Sequence, residues 1–233
     1  MMNPINILGM DVYPYLDFNT LIEDAVKAKK MLLSVNAEIL LRADDKIRNI
    51  YNTNIGYADG IGAVMALKKK NVSNAVKLAG CELWLHIVKK YYKQSKFYLV
   101  GSTQEVINET VTKLKSEYPD IQIIGYRNGF IFSDEEEMKL LIDIEKTKPD
   151  FVFVAMGMPK QELLMEKMNK VNRAVYLGLG GSFDVYTGKV KRAPQWWIDH
   201  GLEWAYRLCL QPKRIKRQLI LVKFLLMLKL GKV

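Results

Sequence analysis

Asp59 closes an apolar run, Tyr57-Ala58, and precedes Gly60-Ile61-Gly62. A carboxylate at such a place either caps the following helix, which aspartate does well, or takes a proton from a substrate at the carboxyl edge of a sheet. Ser34-Val35-Asn36-Ala37-Glu38 has the same double character: Ser34 or Asn36 caps a helix, or Asn36 holds a ligand hydroxyl. The other chemistry-bearing stretch is residues 150–194. Two apolar runs, Phe151–Ala155 and Ala174–Leu177, open into Gly157-Met158-Pro159-Lys160-Gln161-Glu162 and Gly178-Leu179-Gly180-Gly181-Ser182-Phe183-Asp184. Buried strands ending in glycine turns let backbone approach a phosphate, and the next helix presents N–H groups at its positive end. Lys160 adds positive charge there, and the Gln161 amide suits a sugar or a base edge. Asp184 either orients a ligand hydroxyl or closes a turn through its own backbone, and Lys191-Arg192-Ala193-Pro194 is either a diphosphate contact or a basic loop. The stretch reads as a cradle for a nucleotide or a sugar nucleotide.

The elements that would position these residues alternate. Ile5–Leu8, Met31–Val35, Ile55–Ala58, Phe97–Val100 and Ile121–Ile124 read as further strands. Helical spacing runs over Asn19–Lys30, Ala37–Tyr51, Ala63–Lys69, Gly80–Lys93, Thr103–Glu117 and Pro159–Asn169, with one more helix capped by Ser133. Strands alternating with helices predict an α/β fold: a Rossmann-like, mostly parallel sheet with helices on both faces. The division expected is an α/β core over 1–194 and a helical, basic C-terminal appendage over 195–233.

Composition narrows the function. The 233 residues, 49% hydrophobic and 26% charged, suit one main globular domain, while a net charge of +10 points to an anionic partner. Cys81 and Cys209 are the only cysteines and form no CxxC pair, so neither a disulfide framework nor a zinc site is indicated. His86 and His200 lack metal-ligand spacing and read as structural. No secretory signal and no apolar span of about 18 residues is evident, so the expected compartment is the cytoplasm. GxxxxGK[ST] is absent, which argues against a P-loop kinase. Gly178-Leu179-Gly180-Gly181 matches the dinucleotide fingerprint only in part, which disfavours the alternative of a nucleotide-dependent oxidoreductase. No Asp-x-Asp occurs, so a diphosphate leaving group would be stabilised by Lys, Arg and helix N-termini rather than by a metal. No cofactor is expected.

Residues 204–233 carry eight Lys or Arg (Arg207, Lys213, Arg214, Lys216, Arg217, Lys223, Lys229, Lys232) and no Asp or Glu. Ile215, Leu219, Val222 and Leu226 share a helical stripe. A helix of this kind can lie on an anionic membrane surface. The alternatives are a helix packed on the core with a solvated basic face, or a nucleic-acid-binding module, for which no motif speaks.

The ordered series Ser34-Val35-Asn36-Ala37-Glu38, Ala58-Asp59-Gly60, Ala79-Gly80, GMPKQE at 157–162, GGSFD at 180–184, KRAP at 191–194 and GLEWAYRL at 201–208 resembles the WecG/TagA/CpsF glycosyltransferase family over about residues 5–217. The resemblance implies an inverting transferase that moves a sugar from a UDP-sugar to a polyprenyl-diphosphate-linked saccharide at the inner face of the cell membrane, in teichoic acid, capsule or exopolysaccharide synthesis. The best-known donors it implies are UDP-N-acetylmannosamine and its uronic acid, and the usual acceptor carries N-acetylglucosamine. It implies Asp59 as the base and Ser34, Asn36, Lys77, Gln161 and Asp184 as substrate contacts, with Arg207 and Arg214 supplied by the appendage. Gly157, Lys160, Gly180 and Arg192 join them from the reading of the turns. Lys77 stands where the family has arginine, so the charge is kept and the planar two-pronged donor is not. A homo-oligomer is among the states the resemblance allows, and no nucleic-acid partner is expected.

Overall fold

A computed structural model describes residues 2–210 and 215–233, with the backbone alone for Asp199, Arg207 and 215–218. The chain opens with an antiparallel pair, β1 (Ile5–Ile7) and β2 (Met10–Val12), followed by α1 (Phe18–Ala28). Next come β3 (Leu32–Val35), α2 (Ala37–Arg42), α3 (Asp45–Asn52), β4 (Ile55–Ala58), α4 (Ile61–Lys69) and α5 (Gly80–Tyr91). The second half runs β5 (Lys96–Gly101), α6 (Gln104–Glu117), β6 (Gln122–Arg127), α7 (Asp134–Thr147), β7 (Phe151–Ala155), α8 (Lys160–Val171) and β8 (Val175–Gly178). It ends in α9 (Ser182–Tyr186), α10 (Gln195–Asp199), α11 (Glu203–Leu210) and α12 (Ile215–Lys229).

Strands β3 to β8 form one parallel sheet in the order β4-β3-β8-β7-β5-β6. The expected α/β architecture is therefore present. Its central strands are buried on both sides, every residue of β7 and β8 included, and this explains their unbroken apolar sequence. Alternate residues feed two cores. Leu33, Val35, Val152, Val154 and Tyr176 face α2, α3, α4, α7, α8 and α12. Leu32, Phe97, Leu99, Phe151, Phe153 and Leu177 face α1, α5, α6 and α9. Trp84 anchors the second core, edge-on to Phe153, Phe183 and Tyr186.

Two local readings change. The single helix expected over Ala37–Tyr51 is two helices, because Asp44 accepts the Ile47 N–H at 2.8 Å and starts α3 afresh. The periodic apolar residues run straight across that break, which hides it. The N-terminal strand also has a hairpin partner, β2, reached through Leu8 and Gly9, both at positive φ.

The C-terminal helix is apolar on two sides. Phe224 and Leu228 are buried in the first core, and α12 packs on α2 and α4. The Lys69 ammonium donates to the Leu228 carbonyl. The stripe read from sequence points the other way: Leu219 is 61%, Val222 50% and Leu226 57% exposed, and Leu230 extends the row. Ile215 of that stripe lies outside the described side chains.

Candidate active site

The carboxyl ends of β3, β4, β7 and β8 surround a cleft of about 750 Å³. Asp59 follows β4, and its N–H continues the β3–β4 ladder by donating to Val35 O at 3.0 Å. That bond sets Asp59 beside Ser34 and Asn36, which also line the cleft. The next segment is held by Leu78 N–H donating to Ala58 O at 2.8 Å, which brings Lys77 and Ala79 to the same wall. Gly80 then starts α5, and its N–H donates to Asp59 Oδ1 at 3.1 Å. A Cβ on Gly80 would stand 2.8 Å from Tyr57 Oη and 3.4 Å from Asp59 Oδ2. Only glycine lets α5 come this close, so the Ala79-Gly80 pair fixes the orientation of the carboxylate. Burial, with the Asp59 charge second, holds the Tyr57 phenol neutral.

Asn36 does both things its sequence context offers. Its side chain accepts the Ile39 N–H at 3.1 Å and caps α2, and it faces the cleft as well. Lys77 donates to Glu203 of α11 at 2.6 Å, and Glu203 lines the cleft too. Helix α11 thus reaches the site through an ion pair. Cys81 is also in the wall, where burial pushes its thiol above the ordinary range; a thiol so held is a poor nucleophile.

The opposite wall comes from the two glycine turns. Gly157 and Gly180 have positive φ. Their N–H groups both donate to Gln161 Oε1, each at 3.0 Å. Gln161 is 5% exposed. The turns were expected to bring backbone close to a phosphate; these two amides are engaged by one side-chain oxygen, which ties the turns together. Asp184 lies beyond them and accepts from Ser102 Oγ at 3.2 Å.

Two expected contacts fall elsewhere. Arg192 is not in the lining of the cleft; it pairs with Glu82 of α5 and anchors its loop, and its neighbour Lys191 is the residue that faces in. Lys160 lines a second cavity of about 550 Å³ at the carboxyl ends of β5, β6 and β7, together with Ser102, Thr103, Phe130, Phe132 and Lys167. The Arg207 side chain and Arg214 lie outside the described residues. His86 packs on Phe18 and His200 on Trp196, and both histidines are exposed.

The second cavity was missed from sequence. The chain leaves β5 for β6 on one side and leaves β7 for β8 on the other, so the cavity sits at a topological switch point, where open α/β sheets take ligands. The hydrogen bond from Ser102 to Asp184 joins its wall to that of the main cleft.

Asp59, Ser34, Asn36, Lys77, Gly157, Gln161, Gly180 and Asp184 are therefore brought together in one cleft. The fold, the cleft at the sheet edge and the carboxylate opposite the glycine turns suit transfer chemistry on a bound nucleotide. The model of the glycosyl transferase WecG/TagA/CpsF family matches residues 5–232, nearly the whole chain, and the protein belongs to that glycosyltransferase family.

Proposed function

We propose that the protein is an inverting transferase that moves a sugar, N-acetylmannosamine as the best candidate, from a UDP-sugar to a polyprenyl-diphosphate-linked acceptor ending in N-acetylglucosamine. The observation that carries this reading is Asp59, oriented by Gly80 at the end of β4 and facing the paired glycine turns across the cleft. A sugar hydroxyl is a weak nucleophile near neutral pH. As its oxygen attacks the anomeric carbon, Asp59 takes its proton, the C–O bond to UDP breaks, and the UDP leaves with the bonding pair. Such general-base help contributes about 10²–10⁴ in rate. Lys191 offsets the growing diphosphate charge, and Lys77 does so by exchanging Glu203 for the diphosphate. The nucleoside half of the donor takes the second cavity, where Phe130 and Phe132 offer aromatic surface, and Asp184 meets the ribose at the junction.

The reaction is proposed to need no metal. Among the described residues no three His, Cys, Asp or Glu side chains gather as a ligand set, and lysines already face the cleft. A screen of UDP-sugars against a lipid-diphosphate-linked acceptor, with and without EDTA, tests both parts. Transfer from no UDP-sugar removes the reading, and loss of transfer in EDTA removes metal independence.

We also propose that the enzyme works at the inner face of the membrane, in cell-surface polysaccharide synthesis. Among the described residues no helix is long and apolar enough to cross a bilayer. A row of exposed Leu219, Val222, Leu226 and Leu230 beside the exposed Lys223 and Lys229 suits an interfacial helix. Changing Leu219, Val222 and Leu226 together to Gln is expected to weaken binding to phosphatidylglycerol vesicles about tenfold or more. The thermal midpoint should stay near wild type, because these side chains lie outside the core. Unchanged sedimentation with the vesicles would count against membrane docking.

A further inference from the structure

We propose that Glu162 is a positioning residue: it locks the Gln161 carboxamide so that one oxygen holds both glycine turns of the donor cradle. Its importance for ligand binding rests on the glycosyltransferase reading above; its effect on the turns does not.

Gln161 Nε2 donates to Glu162 Oε1 at 3.0 Å, while Gln161 Oε1 accepts from Gly157 and Gly180. A carboxamide is nearly symmetric in shape and opposite in polarity at its two ends. Turned over, it would aim two N–H donors at two other N–H donors, and both turns would lose their partner. The two glycine donors favour one orientation, and Glu162 secures it, because its oxygen accepts from the nitrogen end. The pocket adds a steric constraint. A Cβ on Gly178 would stand 2.7 Å from Gln161 Nε2, so β8 has closed onto the amide as far as a glycine permits.

Glu162 is an odd residue for this place unless it has such a role. It is 1% exposed. Its Oε2 has no hydrogen-bond partner among the described residues, and burial pushes its carboxyl above the ordinary range. Burying a carboxyl with one oxygen unpaired is costly, so Glu162 is a poor choice for stability alone. It is absent from the lining of the cleft and acts through Gln161 rather than on the ligand.

The test compares wild type with Glu162→Met, which keeps length without an acceptor, and Glu162→Gln, which keeps one. Three quantities are read: amide hydrogen exchange at Gly157 and Gly180, UDP binding by calorimetry, and the thermal midpoint. In Glu162→Met, exchange at both glycines is expected to rise and UDP binding to weaken, each about tenfold, the size of one lost hydrogen bond. The midpoint should stay level or rise as the unpaired oxygen is removed. Glu162→Gln should remain near wild type in exchange and binding. Unchanged exchange in Glu162→Met overturns the proposal. So does Glu162→Gln behaving like Glu162→Met, or a Glu162→Met protein that cannot fold, since an orienting group is not needed for folding. If wild-type protein fails to bind UDP, the donor reading falls, and the exchange at the two glycines still decides the role of Glu162.

Discussion

Asp59→Asn is expected to reduce sugar transfer by about 10²–10⁴-fold, the share a positioned general base supplies, while UDP binding and the fold persist. Asparagine keeps an oxygen where Asp59 Oδ1 accepts the Gly80 N–H. Helix α5 therefore stays docked, and the wall that carries Lys77 and Ala79 stays in place. What is lost is the ability to take a proton. Asp59→Ala separates the two roles, because it also strips Gly80 N–H of its acceptor and should cost about 1–3 kcal/mol in stability. Turnover by Asp59→Asn close to that of wild type, measured with the same acceptor, would remove Asp59 as the base.

Phe224→Ala is expected to destabilise the protein by about 3–5 kcal/mol, the range for a fully buried phenylalanine. For a chain of this size that lowers the thermal midpoint on the order of 10 °C. Phe224 is fully buried, and a Cβ on Gly62 of α4 would lie 3.3 Å from its ring. The contact supports more than the tail. Helices α2 and α4 begin just after Asn36 and just after Asp59-Gly60, so loosening their packing reaches the cleft. Truncation after Pro212 would remove this buried ring along with the exposed apolar row, and so would mix a stability loss with any loss of membrane contact. A shift of only one or two degrees in a melting experiment on Phe224→Ala would show that α12 is not part of the core.

The legible parts of this molecule are those fixed by local sequence. β7 and β8 stand out because burial on both faces demands apolar residues in a row. Asp59 and Asn36 were legible because each follows such a run where a cap or a catalytic group belongs, with Ser34 one residue before the end of β3. Residues with partners distant in sequence were not. Arg192 and Lys160 follow the same strand-and-turn logic, yet Glu82 holds one and the other side of a turn holds the other. The link between Gly157 and Gly180 passes through a single oxygen 19 residues from the second turn, and no spacing rule announces it. Phe130 and Phe132 lie in a loop outside every motif, so only the sheet order, with β5 beside β7, gives them a place at a site.

The hydrogen bond between Ser102 and Asp184 is where the two cavities meet. Such a partition makes recognition modular. On the proposed reading, residues around Phe130 would hold the base and ribose, while the wall around Ser34 and Asn36 would meet the hexose. Engineering a new donor sugar would then begin at Ser34 and Asn36 and leave Lys77, the proposed diphosphate contact, in place.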